Sequence, residues 1–140
     1  RLAKSSDDRV AAIAEKASKE AAYHVERSAD TVVGLGDGTE ESHARMQEAL
    51  EYLWPYIGEI LATDDSDEVL AEAGVAVHPA TLKDEYYDLV TRVLTEATLD
   101  VPQDPFFHKG GRNGVRHTEH LGHMLTEMQW LQRAYPGATW

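Results

Sequence analysis

Between residues 7 and 35 the side chains of Val10, Ala14, Ala17, Ala21, Val25, Ser28, Val32 and Leu35 recur at spacings of three and four. That period places them on one face of a long amphipathic helix, and a stripe of this length must find other helices to cover it. The helix is predicted to stop at Gly34, Gly36 and Gly38, where glycine tolerates the left-handed turn that closes a helix. Asp37 or Thr39 is placed to cap the next one, so a tight helical hairpin follows.

The second helix is predicted over 39–61, with Met46, Leu50, Leu53, Ile57 and Ile60 on its stripe. Pro55 lacks the N–H that would bond the carbonyl of Glu51, which predicts a bend there. An acidic break at 63–67 precedes a short helix near 68–73, stopped by Gly74. Residues 74–79 read as an extended connector, because no partner strand is visible. A further helix is predicted from about 79–81 to 97 with Leu82, Tyr86, Leu89, Val93 and Ala97 inward. After a loop over 100–114, the last helix is predicted over 118–135 with Leu121, Leu125, Met128 and Leu131 facing the core. The fold class is therefore all-α, one domain over residues 1–140, built from a long helical hairpin and shorter C-terminal helices.

The chemistry open to such a chain is narrowed by what it lacks. With no cysteine among 140 residues, disulfides, thiolate metal sites and cysteine nucleophiles are excluded, and any metal must be held by His, Asp or Glu. Twenty-five acidic against 13 basic side chains leave a formal charge of −12, which repels phosphate backbones and anionic lipid and argues against nucleic acid as a partner. No apolar stretch is long enough to span a bilayer. The chain opens on Arg1-Leu2-Ala3-Lys4, with neither an initiator Met nor a signal peptide, and is expected to be a piece of a longer polypeptide.

Three clusters invite a site. Glu20 and His24 lie four apart beside the apolar stripe of the first helix, the disposition found in carboxylate-bridged di-iron bundles. The second helix offers Glu40 and His43 at the spacing of three that aims both side chains at one metal. Folding the hairpin about Asp37 sets Glu20 opposite position 54, and leaves Glu40 and His43 roughly 15–20 Å away along the bundle. The residues level with Glu20 and His24 are then Leu50, Leu53 and Trp54, so the pair is expected to be an interior hydrogen-bonded remnant, not half of a metal site. His117, His120 and His123 crowd seven residues, yet on a helix His117 and His123 project about 120° apart and cannot share one metal with His120. Helix-start capping and surface pairing of His123 with Glu119 or Glu127 is the expected use.

Residues 108–117 form the one basic segment, with Lys109, Arg112 and Arg116 around Gly110, Gly111 and Gly114. Glycines that bare backbone N–H groups before a helix suit an anion, whether a phosphate or a partner's carboxylate, and a solvated loop explains the same composition. By contrast, 37–72 holds eleven acids against Arg45 alone, which makes a solvated face or a surface for a basic partner.

The stretches 19–24 and 35–39, the linkers 74–82 and 96–102, and above all 110–137 with its run His117-Thr118-Glu119-His120-Leu121-Gly122-His123 resemble the PaaC subunits of bacterial phenylacetyl-CoA epoxidase, a ring-epoxidising multicomponent monooxygenase. The likeness covers nearly all 140 residues and looks like the C-terminal three-fifths of such a subunit. It implies a ferritin-like helical bundle, and a division of labour in which the related PaaA subunit holds the di-iron centre and binds the acyl-CoA while PaaC, having lost the metal ligands, is its structural partner. A separate reductase supplies electrons from NADPH. The expected role is thus a non-catalytic, cytoplasmic subunit with no cofactor of its own. Self-association of the isolated chain is also expected, because apolar helical faces would otherwise stay exposed. Two rival readings are a di-metal oxidase using Glu20, His24, Glu40 and His43, and a metal-free helical interaction module.

Overall fold

A computed structural model describes residues 1–103, 107–112 and 116–139. All regular structure among them is helical. Five α-helices follow one another: α1 (Asp8–Gly36), α2 (Glu40–Leu53), α3 (Asp65–Glu72), α4 (Lys83–Glu96) and α5 (Glu119–Ala134), with 3-10 segments at Leu2–Lys4, Trp54–Leu61 and Pro79–Leu82. None of these helices is long and apolar enough to cross a membrane. The chain divides into two compact units, Arg1–Phe107 and His108–Trp140.

The caps explain where the helices start and stop. Asp7 accepts from the N–H groups of Arg9 and Val10 and so satisfies the free donors at the start of α1. Thr39 and Ser42 form a reciprocal capping box that starts α2, as Asp64 and Asp67 do for α3. Asp64 begins α3 at Asp65, three residues earlier than the sequence reading placed it. At the end of α3 the N–H of Val75 reaches the carbonyl of Leu70, that of Gly74 reaches Ala71, and Gly74 has φ +70°. The same closure ends α4, with Leu99 N–H on Leu94 and Thr98 N–H on Thr95, but there the left-handed residue is Thr98 at φ +59°. A β-branched residue is strained in that conformation, so tertiary contacts must hold it.

The core of the first unit is small and lies at the base of the hairpin. Trp54, Leu94, Ala97 and Leu99 are buried, and Val32, Val33, Met46, Leu50, Ile57, Tyr87 and Val90 pack on them. The long helix α1 contributes only its last turns. Residues 15–28 of α1 are exposed all round, so the predicted stripe is covered at its two ends alone. The N-terminal end is tied down by Ser5 and Ser6, whose hydroxyls donate to the carbonyls of Val75 and Ala73 just past α3. Arg1 pairs with Glu85 on α4.

Three sequence expectations change here. The second helix does not run on to 61 with a bend; it becomes a 3-10 segment at Trp54, with Pro55 in its first turn. The missing N–H of Pro55 costs nothing at a helix start, and the three-residue turn directs both Trp54 and Ile57 toward the core. The inward face of α4 is wider than the predicted one: Leu82, Tyr86, Leu89 and Val93 are half-buried and Ala97 is buried as expected, and Tyr87, Val90 and Leu94 join Ala97 at the core while Leu89 and Val93 line the groove against α1. In the second unit the stripe predicted to be core-facing is half-buried at Leu121 and Leu125 and exposed at Met128 (67%) and Leu131 (37%).

Candidate functional site

Glu20 and His24 are both exposed on α1, contrary to the interior placement expected of them. Opposite His24 stands α4, not α2. His24, Val25, Ser28, Ala29 and Val32 of α1 and Leu89, Val90, Val93 and Leu94 of α4 line an apolar groove of about 360 Å³. The physical reason is the wedge that the end of α4 makes at the hairpin base, where Leu94 and Ala97 fill the space next to Val32 and Val33 that a closed hairpin would give to α2. The Tyr23 and His24 rings lie 6.2 Å apart, and no carboxylate is among the residues that line the groove with His24.

His43 has a structural use that its spacing from Glu40 did not disclose. Its Nδ1 lies 2.7 Å from the carbonyl oxygen of Gly36, an acceptor only, so Nδ1 carries the proton and donates it. Thr98 Oγ1 approaches the same carbonyl at 3.4 Å and His43 Nδ1 at 3.4 Å. The last carbonyl of α1, a side chain from the first turn of α2 and the residue closing α4 thus meet at one point. Gly36 is buried, and a Cβ built on it would sit 2.5 Å from the carbonyl oxygen of Ala97. Only hydrogen fits between the two backbones. This junction accounts for the left-handed Thr98. Glu40 remains exposed in the first turn of α2, where a carboxylate favours the positive end of the helix dipole.

Two further contacts were not legible in the sequence. Gln47 is spaced 53 residues from Asp100, yet its amide accepts from the N–H of Asp100 at 2.9 Å and donates to its carbonyl at 3.1 Å, holding the segment after α4 against α2. His78 pairs with Glu68 at 3.0 Å across the connector after α3. Tyr86 lines a second apolar gap, with Trp54, Leu50 and Leu94 among its walls. Burial, and then the neighbouring Tyr87, push its phenol above the ordinary value of 10.0.

The basic loop belongs to the second unit. Lys109, Arg112 and Arg116 are exposed, and the N–H of Arg116 donates to the carbonyl of Gly110 at 2.8 Å, which closes the loop on itself. Asn113, Gly114 and Val115, which the anion-binding reading includes, lie outside the described residues, as does the 104–106 part of the loop after α4. Thr118 precedes α5 without a side-chain cap bond, and His117, His120 and His123 are all exposed. Among the described residues no three His, Asp or Glu side chains converge to a group that could hold a metal ion. A di-iron centre of the bundle type needs four carboxylates and two imidazoles facing inward, and the donors described here do not fit it. Glu20 and His24 point to solvent, and His43 is taken by Gly36.

The whole chain, residues 1–140, matches the family described as phenylacetic acid catabolic protein (PaaA_PaaC). The chain belongs to that family. It is 46% identical over 140 residues to the C component of 1,2-phenylacetyl-CoA epoxidase from Escherichia coli (strain K12). The match takes in 100% of this chain and 56% of that relative, so the chain spans a little over half the length of the curated protein it matches. The all-helical architecture agrees with the ferritin-like fold that the PaaC resemblance implies. The resemblance drawn from the sequence is thereby established at the level of family.

Proposed function

We propose that this phenylacetic acid catabolic protein acts as a structural, non-catalytic member of a phenylacetyl-CoA epoxidase in the cytoplasm, pairing with and stabilising the subunit that holds the di-iron centre. The observation that carries the reading is the combination of 46% identity to an epoxidase component with a donor set that, among the described residues, does not converge. Where a catalytic relative would need inward carboxylates, this chain offers the Val32, Val90 and Leu94 wall of an apolar groove. Its histidine in the hairpin serves to lock helix ends together. What remains for it is to present helical surface, which suits a structural partner.

The test is co-expression of this protein with a di-iron subunit of a phenylacetyl-CoA epoxidase, followed by affinity capture and iron analysis of each separated chain. Stable co-purification with iron in the partner alone is the expected result. Stoichiometric iron in this chain after ferrous loading, with an oxo-bridged absorption band, would overturn the assignment.

A further inference from the structure

Four elements converge on the apolar gap beside Tyr86. Val32 comes from the end of α1, Met46 and Leu50 from α2, Ile57 from the 3-10 segment, and Val90 and Leu94 from α4. Between them and Trp54 they leave a cavity of about 250 Å³. A dry apolar cavity of about 150 Å³ already holds a benzene molecule, so this one has room for a ring with a short substituent. A helix, about 10 Å across, is too wide for it. Among the wall side chains only the Trp54 indole and the Tyr86 phenol carry an N–H or O–H donor. Water is held well only with about two to four polar partners, so water in this cavity is readily displaced by an apolar group.

We infer that the cavity is a binding site for an uncharged, single-ring aromatic molecule. The inference goes beyond the epoxidase reading and does not rest on it, since a subunit can pair with its partner whether or not the cavity is filled. The walls select the ligand. The rings of Trp54 and Tyr86 favour an aromatic guest through edge and offset contacts, and Met46 offers a thioether to such a ring. A rigid ring also has no internal rotation to lose, whereas an alkyl chain of the same volume does. Charge sets the remaining condition. The α2 wall belongs to a helix with Glu40, Glu41, Glu48 and Glu51 against Arg45, and α4 has Asp84, Glu85, Asp88 and Glu96 against Lys83 and Arg92. Both helices therefore repel an anion. No carboxylate lines the cavity itself, so a cation would shed its hydration there without gaining a partner. A neutral ring meets neither penalty. Entry needs no unfolding, because Ala49 and Leu53 on the wall are exposed.

The test is titration of the 140-residue chain with 4-methylphenol at neutral pH, followed through methyl chemical shifts by NMR. Saturable shifts are expected at Val32, Leu50, Ile57, Val90 and Leu94, with a Kd of about 0.1–1 mM for a ligand of about eight non-hydrogen atoms. The saturated ring of 4-methylcyclohexanol should bind at least about threefold more weakly, and benzoate at least about tenfold more weakly. Ala49→Phe places a ring at the exposed edge of the cavity, and with helicity intact by circular dichroism it should weaken 4-methylphenol at least about tenfold. No saturable shift up to about 10 mM overturns the inference, as do shifts confined to α5 or a folded Ala49→Phe that binds unchanged. Equal affinity for 4-methylcyclohexanol or benzoate overturns it too, and that comparison on the unaltered chain decides the matter if Ala49→Phe fails to fold. None of these outcomes touches pairing with the di-iron subunit, and loss of that pairing would leave the titration unchanged.

Discussion

Gly34 and Gly36 sit two residues apart near the end of α1, and replacing each by alanine should move stability in opposite directions. At Gly34 nothing lies within 4 Å of a built Cβ. The substitution there adds only helix propensity and removes freedom from the unfolded chain, for a gain of about 0.5–1 kcal/mol. At Gly36 the same methyl meets the Ala97 carbonyl oxygen at 2.5 Å and the Ala97 Cβ at 2.8 Å. Ala97 is fully buried, and the obstacle is backbone that no rotamer change can clear. The ends of α1 and α4 must therefore part, which loosens the packing of Val32 and Val33 on Leu94 and strains the bond from His43 to Gly36. Overpacking costs typically about 1–3 kcal/mol, and a clash with backbone at this distance belongs in the upper half of that range, about 2–3 kcal/mol. The propensity gain offsets about 1 kcal/mol of it, so Gly36→Ala should be destabilised by about 1–2 kcal/mol net. The two variants should then differ by about 2–3 kcal/mol, or roughly 5–12 °C in Tm for a chain of this size. Urea denaturation followed at 222 nm, with both variants at one protein concentration, measures the difference. If Gly36→Ala proves as stable as Gly34→Ala, the close backbone approach that organises this junction is wrong.

Thr98→Gly should stabilise the chain by about 1 kcal/mol, because relief of the left-handed strain outweighs two hydroxyl contacts at 3.4 Å; an unchanged or lower Tm would count against a strained Thr98. Leu94→Ala removes a side chain that is 5% exposed, and should cost about 2–5 kcal/mol in chemical denaturation, with a loss under 1 kcal/mol showing that α4 does not carry the core. Tyr86 binds its proton more tightly folded than unfolded, so its contribution is fully present below the ordinary phenol value of 10.0 and is lost as pH rises from there through the raised folded value. Tyr86→Phe should therefore flatten the fall of stability above pH 10, and identical pH profiles for the two proteins would contradict burial as the cause.

How much of this was legible in the residues differs from element to element. The extent of α1 and its glycine-rich end were read directly, and the next cap was narrowed to Asp37 or Thr39, of which Thr39 is the one used, since periodicity and caps rest on hydrogen bonds between residues three or four apart. The family likeness was likewise carried by local runs such as 110–137. The inward face of α4 was read too narrowly, missing Tyr87, Val90 and Leu94, because spacing names a stripe without naming what meets it. The candidate ligands fared by the same logic. Glu40 and His43 have the spacing of a metal pair, and His43 instead holds the end of α1 because Thr98, 62 residues beyond Gly36, closes α4 against the same carbonyl.

Local chemistry thus determined an all-helical chain, its hairpin, and the lack of any cysteine-based chemistry in these 140 residues. Only the tertiary arrangement decided that Glu20 and His24 face solvent, that α4 rather than α2 walls the groove beside them, and that Gly36 must stay glycine. These turn on contacts between segments far apart in the chain, where packing of backbone on backbone selects one arrangement and leaves no trace in residue spacing.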